Sequence, residues 1–295
     1  MKNKQYALAS LAALTTNVIF GFSFLFSKVA LSYAHPLVII SVRFTVSFFV
    51  LSILCLFGVF KLSFKGKPKA RLLIMAMAQP VCYYICELYG IKLTSSALSG
   101  VIISLVPVVV IVLSTLFLRE RPSTRQILFT LVSLAAVALI STSSNDGNEN
   151  TLLGIILLLG AVLCASVFNI LSRKESKDYS PIERTYVMFF VGTVGFNIIG
   201  ACTLGGGYFT EISSALSHVE FIGAIAYLSI LSSICAFLLY NYSTTILPPV
   251  KSASYSNLIT LVSVLAGIFI LGEALSPFTI ICCILIIIGV FGTNK

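Results

Sequence analysis

Charge is scarce in this sequence. Only 10% of its 295 residues are Asp, Glu, Lys or Arg, whereas 58% are hydrophobic. A soluble domain carries about 25% charged residues, so the composition excludes a soluble globular protein. The sequence therefore predicts an integral membrane protein.

Several chemical signatures are also missing. No Gly-x-x-x-x-Gly-Lys-Ser/Thr element is present, which excludes a P-loop ATP site. Any energy-requiring activity of this chain is therefore predicted to draw on an ion or solute gradient. No apolar run contains paired aspartates, a His-Glu metal helix or a Ser-Lys couple, so the chain is predicted not to be an enzyme. No cofactor or metal is predicted.

The eight cysteines all fall within apolar runs, which excludes an extracellular disulfide framework. Cys82 and Cys86 are one helical turn apart, but no histidine accompanies them, and two thiols alone make a poor metal site. Both are predicted to be small packing residues.

Ten apolar runs approach the roughly 20 residues that a membrane-spanning helix needs. They lie at about 6–31, 37–60, 72–93, 97–118, 126–142, 152–171, 185–204, 221–246, 253–271 and 277–291. The first run is longer than the apolar core of a signal peptide and is predicted to be an uncleaved helix.

The basic residues give the chain a formal charge of +9, and they cluster between alternate runs. With the N-terminus in the cytoplasm, 16 of the 19 basic residues face the cytoplasm, Lys28 and Lys92 face outward, and Arg43 lies within a run. This asymmetry is the positive-inside pattern. It predicts cytoplasmic termini and explains the charge without a nucleic-acid partner.

The chain contains an internal repeat. A slide of 145 residues places Pro36 on Pro181 and Phe44 on Phe189, and a slide of 153 places Glu120 on Glu273. The predicted organisation is a first repeat at 1–143 (helices 1–5), a polar linker at 144–150 and a second repeat at 151–295 (helices 6–10).

An odd number of spans per repeat reverses the second copy in the bilayer. The predicted fold is therefore all-α, with ten transmembrane helices in two inverted five-helix repeats, an architecture common among secondary transporters. Glu120 is expected to face the cytoplasm and Glu273 the exterior.

Arg43 and Glu87 are predicted to be the only fully embedded charges. Both lie roughly 9 Å below the outer edge, at 1.5 Å per helical residue, so they are predicted to form an ion pair beside a central cavity. An intramembrane charge indicates function by default, although a purely structural bridge between helices 2 and 3 is the alternative. Glu87 is the predicted proton-coupling residue, because its protonation depends on burial and on nearby cations.

Polar and aromatic residues in the other runs complete the predicted substrate site. They are Asn17, Phe20, Ser23, Tyr83, Ser104, Asn169, Tyr186, Tyr240, Asn241, Tyr255 and Asn257. The alternative for each polar group is a bond to its own or a neighbouring helix. Pro107 is predicted to be a hinge that bends the fourth helix, with a passive kink as the alternative.

Two segments are assigned to the outer surface of the bundle. The fifth run of each repeat is short and uncharged, which favours lipid contact or a homodimer seam through helices 5 and 10. Residues 208–220 form either an amphipathic surface segment, with Phe209, Ile212 and Leu216 toward lipid, or a plain loop.

The chain resembles the EamA-type branch of the drug/metabolite transporter superfamily along essentially its whole length. The matching elements are Phe20-Gly21-Phe22-Ser23, Lys28, Pro36, Arg43-Phe44, the 89–97 stretch, Pro107-Val108, Leu118-Arg119-Glu120, Ala253, Leu271-Gly272-Glu273 and Gly289-Val290. The chain departs from the family pattern at Phe20, where tryptophan is usual, and at Thr260, where proline is usual.

The resemblance implies a cavity walled by helices 1–4 and 6–9, and export or exchange of small metabolites such as amino acids, often driven by protons. The sequence thus predicts a secondary transporter of the bacterial cytoplasmic membrane that exports a small polar or amphiphilic metabolite by alternating access. A gradient-independent facilitator or exchanger and a non-transporting receptor or scaffold are the alternatives.

Overall fold

A computed structural model of the chain describes residues 2–64, 67, 69–93, 102–103, 105–119, 122–142, 151–259, 261–262 and 277–294. Within these ranges the secondary structure is helical, with no β-strand. The predicted all-α class is confirmed. Glu120, Glu273, Ser104 and the 144–150 linker lie outside the described residues.

The described helices fill ten positions, α1 to α10. The first repeat contributes α1 (Lys2–Leu31), α2 (Pro36–Leu56), α3 (Ala70–Ala76, Met77–Cys82 and Tyr83–Lys92), α4 (Val106–Leu118) and α5 (Thr124–Thr142). The second contributes α6 (Leu152–Glu175), α7 (Pro181–Leu204), α8 (Val219–Ile246), α9 (Pro249–Ser254, with further helical residues to 262) and α10 (Pro277–Asn294). A short surface helix, Gly207–Ala215, lies between α7 and α8.

Five of the described helices are long and apolar enough to cross a membrane, namely α1, α2, α6, α7 and α8. Shorter apolar helices occur in α4, α5 and α10. Large apolar side chains such as Phe190 and Ile198 on α7 are about half exposed, as lipid-facing residues are. The chain is a multi-pass membrane protein.

The helix starts follow local sequence signals. At α7, Ser180 accepts a bond from the Glu183 backbone N–H, and the Glu183 carboxylate accepts one from Ser180, while Pro181 occupies the first turn. This capping box satisfies two backbone donors. It starts α7 four residues earlier than the apolar run suggests, so Arg184 lies inside the helix.

The helix contacts follow a two-fold pattern. Helices α2 and α7, which the 145-residue slide relates, pack together, with the rings of Phe44 and Phe189 centred 5.9 Å apart. The packing of α1 on α8 corresponds to that of α6 on α3, and α5 packs on its counterpart α10. These pairings are those that two inverted repeats produce when they interlock.

The third helix of each repeat departs from regular α-helical geometry. Helix α3 kinks within Met77–Cys82, where Gln79 has non-helical dihedrals beside Pro80, and a widened, π-helical segment, Tyr227–Cys235, interrupts α8. The 153-residue slide places Gln79 and Pro80 on Ser232 and Ser233. Such segments alter the regular backbone bonding and recur at functional sites.

Helices α5 and α10 meet at two glycines. A Cβ on Gly289 would lie 2.5 Å from the Ser133 Cβ, and one on Gly292 would lie 2.2 Å from the Phe129 ring. The opposite faces carry exposed residues such as Leu128 and Ile281. These faces remain the predicted lipid contact or homodimer seam.

The segment after α7 forms a surface helix rather than a plain loop. Phe209 is 73% exposed and Leu216 is 45% exposed, in agreement with the predicted outward face. Ile212 was expected to face lipid but packs inward against a cluster that includes the buried Tyr208. The helix is tied to the first repeat, because Glu211 accepts a bond from the His35 backbone N–H.

We expect Gly289→Ala to destabilise the bundle by about 1–3 kcal/mol, because the added methyl group overpacks the α5–α10 contact. The matched control is Gly223→Ala on α8, where an added Cβ would meet no atom within 4 Å. Thermal unfolding of purified protein in detergent measures the effect. Equal unfolding midpoints for the two variants would contradict the close contact.

Candidate functional site

Arg43 of α2 is held by the widened segment of α8. Its Nε donates to Ser233 Oγ at 2.8 Å, and its Nη2 donates to Ser232 Oγ at 3.0 Å and to the Ser232 carbonyl oxygen at 3.4 Å. Ser23 of α1 donates to Ser232 Oγ at 2.6 Å. One buried guanidinium therefore joins the two repeats.

The Arg43 guanidinium also lies beside aromatic side chains. Its Cζ lies 5.6 Å from the centre of the Tyr84 ring and 5.8 Å from that of Phe44, within cation–π distance. The Tyr84 phenol is within hydrogen-bonding reach of the guanidinium. The bonds to α8 use Nε and Nη2, so Nη1 is the nitrogen that faces away from the two serines.

Glu87 lies on α3, one helical turn after Tyr83. The Tyr83 hydroxyl donates to Glu87 Oε1 at 2.7 Å, and the described residues offer no partner to Oε2. The Tyr83 and Tyr84 rings are centred 5.2 Å apart at a steep angle. Tyr84 is close enough for the charges of both Arg43 and Glu87 to act on its phenol.

The predicted direct ion pair between Arg43 and Glu87 is absent. The ion pairs found among the described residues join Lys67 to Glu183 and Arg71 to Glu175. Arg43 points instead to the acceptors that the widened α8 segment offers. The charges of Arg43 and Glu87 still act on one another, but they do so without contact.

Three more predicted site residues lie in a second cluster formed by α6 and α8. The Asn169 amide donates to the Ala165 carbonyl oxygen at 3.0 Å, and its Oδ1 accepts a bond from the Tyr240 hydroxyl. Asn241 is fully buried and accepts a bond from Ser172 Oγ at 2.9 Å. Phe20 connects the two clusters, since its ring meets Phe237 at 5.5 Å in the aromatic core that also contains Phe44, Phe168 and Phe189.

Three other predicted site residues make their contacts elsewhere. Asn17 donates to the Ala13 carbonyl oxygen of its own helix at 2.7 Å, and Asn257 donates to Ser133 Oγ of α5 at 2.6 Å. Tyr255 is buried in the apolar core that α1 and α10 share. The structure does not bring these three to Arg43.

Tyr186 and Pro107 also lie apart from Arg43. The Tyr186 hydroxyl accepts a bond from Ser52 Oγ at 3.2 Å near the end of α2 that leads to the α2–α3 loop. Pro107 occupies the first turn of the described α4 helix, after a turn at Leu105. A proline is tolerated there because the first-turn N–H has no partner in the helix. Its role as a hinge remains a prediction.

Arg184 is an embedded residue that the sequence analysis placed in a cytoplasmic loop. It is fully buried in α7. Its Nη1 donates to the carbonyl oxygen and Oγ of Ser172 at 2.6 and 2.7 Å, and its Nη2 donates to the Asn241 carbonyl oxygen and to Thr245 Oγ1. Arg184 therefore fastens α6, α7 and α8 together. The Ser180-Pro181-x-Glu183 capping signal would have placed it inside the helix.

Two acidic residues near Arg184 are also buried. Glu183 pairs with Lys67 at 2.8 Å and accepts a bond from the Ser63 backbone N–H, and Glu175 lies 3.6 Å from Arg71 Nε. These contacts hold the α2–α3 loop and the first turn of α3 against the α6–α7 turn. The expectation that Arg43 and Glu87 are the sole embedded charges is thus wrong.

Tyr179 is buried beneath the α2–α3 loop, beside Lys67. It is 1% exposed, and the Lys67 ammonium lies 5.0 Å from the centre of its ring. Burial raises the pKa of the Tyr179 phenol, and the nearby carboxylates add to the shift. Tyr179 is therefore neutral, and its ring contributes apolar and cation–π contact.

Cysteine, histidine and acidic residues do not gather into a metal site in the described part of the chain. The eight cysteines are free thiols; Cys82 is exposed and Cys86 is partly buried.

We expect Arg184→Gln to lower the midpoint of thermal unfolding clearly, because each buried acceptor left without a donor costs about 1–3 kcal/mol. Arg184→Lys is expected to restore little, since an ammonium cannot reproduce the two-sided guanidinium contacts. Lys177→Gln, at an exposed cation in the α6–α7 turn, is the control. An unfolding midpoint equal to that of Lys177→Gln would contradict the fastening role.

Comparison with known proteins places the chain in a family. The model of the EamA-like transporter family matches residues 7–142 and 152–295. The chain is 33% identical to the uncharacterized transporter YcxC of Bacillus subtilis (strain 168), with 100% of this chain and 95% of that protein covered. It is 24% identical to an uncharacterized transporter of Archaeoglobus fulgidus, over 94% and 95% of the two chains.

A solved crystal structure shares the fold. It matches with a TM-score of 0.78 at 17% identity and covers 96% of this chain and 95% of that one. The family match covers both halves of the chain, on either side of the polar stretch that the repeat pattern identifies. The chain belongs to the EamA-like transporter family, in the drug/metabolite transporter superfamily, and is a membrane transporter by family.

Proposed function

We propose that this protein is a secondary transporter that exports a small polar or amphiphilic metabolite, such as an amino acid, by alternating access. One observation carries the proposal. Arg43 and Glu87 are opposite charges inside the bundle, and neither forms an ion pair with a described residue. Unpaired charges are costly at such depth, so a ligand that neutralises both accounts for their presence.

The arrangement suits a solute with both an acidic and a basic group. A carboxylate can accept charge-assisted bonds from Arg43, and an ammonium group can donate to Glu87 Oε2. The Tyr84 and Phe44 rings beside Arg43 offer an apolar surface to the rest of the solute. This chemistry supports a polar or amphiphilic metabolite.

The contacts around Arg43 also support alternating access. Hydrogen bonds to the two serines of α8 join the repeats, and each such bond contributes about 0.5–1.5 kcal/mol net, more when a charge takes part. A solute that binds Arg43 can replace part of them. At the other end, the Arg184 network joins α6, α7 and α8 of the second repeat, so these three helices can move as one unit against the first repeat.

The distribution of basic residues supports an orientation of the chain in the membrane, and its relatives support a cellular location. The excess of basic residues in the N-terminal, α2–α3, α4–α5 and α6–α7 segments supports cytoplasmic termini. The relatives in Bacillus subtilis and Archaeoglobus fulgidus support a prokaryotic cytoplasmic membrane. In this orientation the Arg184 network faces the cytoplasm.

A metabolite screen on vesicles that contain the purified protein tests the function. Flux that an imposed pH gradient drives supports a coupled transporter, whereas flux unchanged by the gradient identifies a facilitator or exchanger. Binding without flux identifies a receptor or scaffold. Chemical conversion of a metabolite would identify an enzyme and contradict transport as the activity.

We expect Glu87→Gln to abolish accumulation driven by a pH gradient and to spare part of the downhill exchange. The amide keeps the shape and hydrogen-bonding capacity of the side chain but cannot titrate. The assay compares substrate uptake in vesicles with and without a gradient. Glu220→Gln, at an exposed position near the start of α8, is the control. Wild-type accumulation and pH dependence in Glu87→Gln would show that Glu87 is structural.

We expect single cysteines at Lys177 and Glu220 to react on opposite sides of the membrane. In a background without the eight native cysteines, Glu220→Cys should react with an impermeant maleimide on intact cells, whereas Lys177→Cys should react only after permeabilisation. Both positions are exposed, so access to the reagent depends on the side of the membrane. The reverse pattern would overturn the cytoplasmic orientation of the termini.

A further inference from the structure

A groove of about 570 Å³ lies at the carboxyl end of α2. Its lining includes Ser52, Leu56, Phe60, Lys61, Leu62 and Tyr186. The lining therefore combines apolar side chains with one cation and two hydroxyl groups. This groove is separate from the Arg43 and Glu87 region, which lies nearer the other end of α2 and α3.

The surface next to the groove is strongly apolar and open. Leu56 is 86% exposed, Phe57 is 81% exposed and Val59 is 60% exposed. Gly58 takes a positive φ of 75°, which turns the chain sharply between Phe57 and Val59. These residues follow the last turn of a membrane-spanning helix, so this open apolar surface lies where the hydrocarbon region meets the headgroups.

The groove has a cation available to a ligand. Lys67 of the same loop is paired with Glu183, and Arg71 of the first turn of α3 is paired with Glu175. Lys61 is exposed and forms no ion pair with a described residue. The carboxyl end of α2 carries a partial negative charge of about half a unit. The full charge of Lys61 exceeds it, and further basic residues of the loop add to the positive field.

The hydroxyl groups of the groove complete an anion site. Ser52 Oγ donates to the Tyr186 oxygen at 3.2 Å, and the Tyr186 proton has no acceptor among the described residues. A phosphate oxygen in the groove can accept bonds from Tyr186 and from the Lys61 ammonium. The same ligand can lay its chains against Leu56 and Phe57.

We propose that this groove binds the phosphate headgroup of an anionic phospholipid. Charge complementarity at Lys61 and the exposed apolar rim select this occupant, because a water-soluble phosphate compound would use the cation and leave the rim uncovered. Juxtamembrane basic residues attract anionic lipid by about 1 kcal/mol each. Assignment to the cytoplasmic leaflet rests on the proposed orientation, whereas the site itself does not depend on the transported substrate.

Titration of lipid into purified protein in detergent tests the site. Phosphatidylglycerol should raise the thermal unfolding midpoint of the wild-type protein more than phosphatidylcholine does, because bound ligand stabilises the folded state. In Lys61→Gln, the phosphatidylglycerol concentration for half-maximal stabilisation should rise about tenfold, the effect of losing one charge-assisted bond. Lys177→Gln, an exposed cation outside the groove, should respond like the wild type.

Two further measurements identify the ligand and distinguish a lost binding site from a folding defect. Tyr186→Phe removes only the hydroxyl group, and it should weaken the phosphatidylglycerol response while leaving the lipid-free midpoint near the wild-type value. Inorganic phosphate should not reproduce the stabilisation. Equal responses of Lys61→Gln and Lys177→Gln, or full stabilisation by inorganic phosphate, would overturn the phospholipid site without bearing on transport.

Discussion

The cost of placing a guanidinium group inside a membrane bundle shapes much of this structure. Arg43 and Arg184 are both buried, and neither pairs directly with a carboxylate within the described residues. Each donates to carbonyl and hydroxyl oxygens of α8, Arg43 at the widened segment and Arg184 near the end of the helix. Helix α8 therefore supplies acceptors to two cations of opposite repeats, and this role organises the helices around it.

The sequence predicts the architecture well because membrane insertion and gene repetition leave long-range signals. Apolar runs, the 145-residue slide that relates Phe44 to Phe189, and the alternation of basic loops each report a global constraint. The capping box at Ser180 is a local signal, and it moves the start of α7 by four residues relative to hydropathy alone. That shift converts Arg184 from a loop residue to a core residue.

The candidate site is less predictable, because depth along a helix says little about direction around it. Arg43 and Glu87 have matching depths, yet Arg43 turns to Ser232 and Ser233, which the hydropathy of α8 does not distinguish from other small residues. Asn17 and Asn257 find partners on α1 and α5. Only the three-dimensional packing of helices shows that these amides bond away from Arg43.

Backbone irregularities divide α3 and α8 into shorter rods. Helix α3 kinks within Met77–Cys82 and the π-helical segment Tyr227–Cys235 interrupts α8, at places that the 153-residue slide relates. Sharp bends in helices occur at prolines and π-bulges of this kind. In mechanical terms, each of these two helices is a pair of rods with a joint between them, and the joint of α8 is the one that holds Arg43.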